Sequence, residues 1–134
     1  MAVRELRLVV TAPDYDEALV FYRDVLGLPV QAVFESPGGH VTLLDAGRAT
    51  LELMDDANAQ YVDEVEVGRR VAGHIRVAFE VEDAAAATAA AEAAGARVVV
   101  APTRTPWDSL NARLEAPGGL QLTLFEELTG ETAA

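Results

Sequence analysis

Apolar and polar positions alternate from Leu6 to Val10, which predicts a short strand ending at the turn signal Ala12-Pro13. Asp14 then has the chemistry of a helix N-cap, and Glu17 three positions later completes a capping box. Ala18, Leu19, Tyr22, Val25 and Leu26 recur at helical spacing before Gly27 stops the helix. Three strand-like runs follow, Val30 to Glu35, Val41 to Leu44 and Thr50 to Met54, with turns at Pro37-Gly38-Gly39 and Asp45-Ala46-Gly47 between them. The first half therefore reads β-α-β-β-β.

The segment from Asp55 to Gly73 is polar, carries the pair Arg69-Arg70 and shows no sustained period, so it is expected to be a linker. The second half repeats the first. Ile75 to Val81 predicts a strand, Asp83 an N-cap, Ala84 to Ala94 a helix and Gly95 its stop, with strands near Arg97 to Ala101, Ala112 to Glu115 and Gln121 to Phe125. The paired glycine stops, and Arg7 and Arg76 in the two opening strands, keep nearly the same step, as an old duplication would leave them. Alanine is the strongest helix former and lets a helix lie close on a sheet, so the alanine run has a structural explanation. The expectation is one α+β domain of two tandem βαβββ modules, residues 1–56 and 73–134, joined by a linker at 57–72.

Composition narrows the chemistry. A chain of 134 residues that is 51% apolar can bury one core. With no cysteine, disulfides, thiolate metal ligands and cysteine nucleophiles are excluded. The net charge of −12 repels phosphate backbones and anionic headgroups, which argues against nucleic acid and membrane partners; it serves solubility, and could also gather cationic ligands. The N-terminus lacks a signal-peptide pattern and no long apolar run exists, so a cytoplasmic protein is expected. No phosphate-binding glycine loop or nucleophile elbow occurs.

Three stretches carry a resemblance: Leu8 to Val30, with Asp14, Phe21-Tyr22 and Leu26-Gly27-Leu28; Gly73 to Asp83, reading GHIRVAFEVED; and Thr105 to Phe125, reading TPWDSLNARLEAPGGLQLTLF. Together they make the chain similar to the vicinal oxygen chelate superfamily of glyoxalases, extradiol dioxygenases and bleomycin-resistance proteins, nearest to the bleomycin-resistance branch. The resemblance implies a curved mixed sheet around a cleft, and a homodimer in which two chains complete each cleft. In metal-dependent members, the first and fourth strands of each module supply His, Gln and Glu ligands to a divalent ion that polarises substrate oxygens. Carried over one at a time, those positions are Arg7, Glu52, Arg76 and Thr123. A guanidinium has no lone pair to donate, so no resident metal or other cofactor is expected. His74, two residues before Arg76 on the same strand face, would reach the ligand position only through a register slip.

Strand parity assigns side chains to faces. Ile75, Val77, Phe79 and Val81 are expected on the buried side. Arg7, Val9, Glu52, Met54, His74, Arg76, Thr123 and Phe125 are expected to face the cleft, with Gln121 on that side too. Arg7 and Glu52 are expected to form an ion pair, the alternative being that Arg7 or Arg76 holds a ligand carboxylate or enolate. Trp107, the only tryptophan, suits either stacking on a planar ligand or plugging a core or dimer interface. His40 beside the glycine turn is expected to be solvated. The function these readings support is a metal-free binding protein that sequesters an aromatic or amphipathic natural product, in drug or self-resistance. The alternative is a lyase, isomerase or dioxygenase acting on a small oxygenated substrate, with Glu52 as its candidate acid or base.

Overall fold

The computed structural model describes residues 4–5, 7–37, 39–50, 52 and 55–128. Asp14 caps the first helix as its sequence predicts, its carboxylate accepting from Glu17 N at 3.0 Å. The helix starts as α1 (Tyr15–Leu19) and continues as a π-helical stretch, Val20–Val25, where Leu26 N donates to Phe21 O at 3.0 Å. Gly27 follows at φ +76°, a left-handed conformation that costs glycine nothing.

β1 (Val30–Ser36) and β2 (Gly39–Leu44) form a separate antiparallel hairpin. Of the strands expected at Leu6 to Val10 and Thr50 to Met54, the structure describes residues 7–10, Thr50 and Glu52. Residues 7–10 are in no ladder, and neither are Thr50 and Glu52; Leu6, Leu51, Leu53 and Met54 lie outside the described residues. Alternation along a chain marks a surface suited to a sheet, but a strand also needs a partner edge, which a local pattern does not specify.

The expected linker contains a helix, α2 (Asp56–Glu66), capped by Asp55 accepting from Asn58 N at 2.9 Å. No apolar stripe announced it, because its buried positions are Val62, Asp63 and Glu66.

The second half folds as βαβββ. β3 (Val77–Glu80), α3 (Ala84–Ala93), β4 (Arg97–Arg104), β5 (Ser109–Glu115) and β6 (Gln121–Glu127) follow in sequence. The sheet order is β3-β6-β5-β4, with β3 and β6 parallel and the other pairs antiparallel. One face buries Ala112, Leu114, Leu122 and Leu124 against Ala91 of α3 and Phe21 of the first helix, with Val77, Phe79 and Val81 beside them. The α+β class and the buried parity of the opening strand hold, except at Ile75, which lies before β3 and is 60% exposed. Among the described residues no helix is long and apolar enough to cross a membrane.

The alanine helix presents Ala84, Thr88 and Ala91 to the sheet, a stripe with almost no side-chain height. Ala91→Leu should therefore overpack the interface and destabilise by about 1–3 kcal/mol, whereas Ala89→Leu on the exposed side should change stability by less than about 0.5 kcal/mol. Urea unfolding of both variants measures the difference.

Candidate functional site

The sheet face opposite α3 is polar. Ser109, Asn111 and Arg113 of β5 and Thr123 of β6 point away from the apolar core, yet all four are buried, with Glu66 of α2 over Asn111 and Arg113, Thr105 against Ser109 and Arg76 against Thr123. Arg113 is fully buried. Its Nε donates to Glu66 Oε1 at 3.0 Å, and its Nη1 donates to Gln121 Oε1 at 3.0 Å. Nη1 also stands 2.8 Å from Asp63 Oδ1, an ionic contact too poorly angled to count as a hydrogen bond, and Nη2 has no partner. Asn111 Nδ2 donates to Glu66 Oε2 at 2.8 Å and is itself held by Ser109 Oγ at 2.6 Å.

Asp63 ties a loop to this network. Its Oδ2 accepts from Arg70 Nη1, Val71 N and Ala72 N, each at 2.8 Å. Burial raises the carboxyl pKa, but the Ala72 and Val71 amides, with Arg70 and Arg113, outweigh it and hold the group at about 2.

Thr123 sits between two guanidiniums. It is the register partner of Arg113 on β5 and of Ala78 on β3, and its Oγ1 accepts from Arg76 Nη1 at 2.5 Å. Burial first, then the charge of Arg113, push the Arg76 guanidinium below its usual range; Glu66, Asp63 and Glu52 act in the opposite sense. Arg76 and Thr123 are thus brought together, with Glu52 within electrostatic reach.

The remaining expected site residues are dispersed. Arg7 is exposed and pairs with Glu5 at 3.3 Å, not with Glu52. Val9 is 87% exposed, since residues 7–10 join no sheet whose parity could aim them inward. His74 is exposed, and Phe125 is half-buried opposite Asn111. Met54 lies outside the described residues. Trp107, in the turn between β4 and β5, is 42% exposed with its ring 6.5 Å from Tyr61 of α2, so it is no core plug. His40 is solvated, 3.5 Å from Glu35.

The residues that sequence reading missed are Asp63, Glu66, Arg113 and Asn111. Their available signals were the N-cap pattern at Asp55, the three-residue spacing of two carboxylates, and polar side chains at alternate positions of a central strand. A divalent ion does not fit the four carried-over positions. Two are arginines, Thr123 accepts from one of them, and among the described residues no three His, Asp or Glu side chains cluster.

Comparison with known proteins bears on this fold. The sequence model of the Glyoxalase/Bleomycin resistance protein/Dioxygenase superfamily matches residues 6–124. No curated protein matches the chain. A hypothetical protein of S. aureus is similar at a TM-score of 0.62 and 15% identity, covering 94% of this chain and 95% of its own. A glyoxalase/bleomycin resistance protein/dioxygenase superfamily member from Sphaerobacter thermophilus gives 0.61 and 20%, covering 95% and 98%. A glyoxalase-related enzyme from Fulvimarina pelagi gives 0.57 and 15%, covering 93% and 89%. At such identities these likenesses speak for the fold alone.

Asp63 makes the structure acid-sensitive. Its folded pKa lies below the unfolded value, so its contribution is present above about pH 4 and is lost as pH falls toward 2. Stability should decline by on the order of 2 kcal/mol through that window. Denaturant unfolding as a function of pH should show this slope in the wild type and a flatter one in Asp63→Asn.

Proposed function

Because the chain belongs to the glyoxalase/bleomycin resistance protein/dioxygenase superfamily, we propose that it is a metal-free small-molecule binding protein. It sequesters an aromatic or amphipathic compound at the margin of the polar sheet face, beside Arg76 and beyond the part that α2 covers, in the manner of drug or self-resistance. The observation that carries this reading is the Arg76–Thr123 contact, which fills two carried-over metal-ligand positions with a fixed guanidinium and its acceptor. Such a face is built to orient polar groups of a ligand. Trp107 and Tyr61, 42% and 50% exposed, add aromatic surface at its margin. Purified protein assayed for zinc, nickel, manganese and iron should hold far less than one ion per chain. A stoichiometric, tightly held ion would overturn the proposal and favour a lyase, isomerase or dioxygenase.

The working form is a homodimer. Supporting it, Val33, Phe34 and Val41 of the hairpin are each more than half exposed, as are Val9 and Ile75, and such apolar area is normally covered. Sedimentation at micromolar concentration should give twice the 14.2 kDa chain mass. Phe34→Glu should shift the species toward monomer, and a wild-type monomer would remove the shared-cleft arrangement.

A further inference from the structure

All ten basic residues of this chain are arginines, in a sequence whose net charge is −12. Half of them gather around one face: Arg76 and Arg113 on the polar side of the sheet, and Arg69, Arg70 and Arg97 around an open cavity of about 260 Å³ beyond the end of α2. Gln121 and Glu115 complete the polar part of that cavity's lining.

The three cavity arginines are only partly used. Arg70 engages Asp63 and Ala72 O through Nη1 alone, which leaves Nε and Nη2 available. Arg97 engages Glu115 through Nη2 alone. Arg69 has no carboxylate within 4.0 Å among the described residues. The nearby acids do not balance them, because Asp63 is shared with the buried Arg113, whose own Nη2 stays unpartnered. The loop bearing Arg69 and Arg70 is also fixed, since Asp63 grips the amides of Val71 and Ala72. The result is a set of forked N–H donors, one of them gripped by Asp63 on a fixed loop, with surplus positive charge around an open space of about 260 Å³.

We propose that this cavity is an oxyanion site, taking the carboxylate or phosphate group of the small molecule that the protein binds; this rests on the ligand-binding reading above. Neutral or cationic ligands leave the donors unpaired, and in a chain of net charge −12 a local excess of guanidiniums is where an anion is favoured.

The test is calorimetric titration at constant ionic strength with phthalate, inorganic phosphate and the neutral phthalamide. Wild type and Arg69→Gln/Arg97→Gln are compared, both side chains being exposed and outside the core. Saturable binding of phthalate or phosphate, with phthalamide silent and the variant weaker by about tenfold or more, is the expected result. Which anion binds tells a carboxylate ligand from a phosphate one. A separate Arg97→Lys variant, which keeps the charge and loses the fork, should retain more phosphate than phthalate binding. Phthalamide binding as well as phthalate, with no effect of the double variant, would overturn the oxyanion site and leave small-molecule binding standing. No saturable binding of any probe would overturn both.

Discussion

The buried Arg113 guanidinium is the constraint around which the rest of the structure is arranged. A charged group without water costs several kcal/mol unless it is paired and its hydrogen bonds are met. Glu66 and Asp63 do most of this, three positions apart and therefore on one side of α2. The helix docks because of its carboxylates, not because of an apolar stripe. Asp63 then reaches the other way, to Arg70 and to two backbone amides, so one ionic cluster fixes helix, loop and sheet together. Removing one member of such a cluster typically costs about 3–5 kcal/mol, since the others remain buried without it.

Two kinds of cohesion meet at the four-stranded sheet. On one face, Leu114, Leu122, Leu124 and Ala112 exclude water beneath an alanine helix that can approach closely. On the other, directional contacts among Arg113, Asn111, Gln121, Asp63 and Glu66 demand a single geometry. The first half of the chain joins the apolar side through Phe21, while its hairpin keeps much of its surface exposed. That uneven distribution leaves Val33, Phe34 and Val41 each more than half exposed.

A pair of arginines on a polar face offers oxygen atoms something different from what a divalent ion would offer. A divalent ion would attract oxygen lone pairs as a point charge; guanidiniums do so as planar forks with fixed directions. Arg76 and Arg113 flank Thr123, and the acids of α2 neutralise the inner of the two. The balance leaves positive charge toward Arg76 and the cavity arginines, in a protein that is otherwise acidic. Local field, rather than net charge, then sets the potential at that face.

Much of the fold was written in local pattern. Asp14, Asp83, Gly27 and Gly95 marked two helices because caps and stops act within a few residues, and the parity of Val77, Phe79 and Val81 named a buried face because strand geometry is periodic. That a guanidinium at positions 7 and 76 has no lone pair to donate was legible from chemistry alone. Pairing was beyond reach. Whether residues 7–10 would find an edge, whether Arg7 would meet Glu52 or Glu5, and whether the segment after Asp55 would cover the sheet depend on partners far away in sequence. The α2 helix is the clearest case: Asp63 and Glu66 look like solvated charges until Arg113 and Asn111, more than forty residues on, are brought beneath them. Only the tertiary structure supplies that match, because the free energy of burying a charge is set by what surrounds it and not by its sequence neighbours.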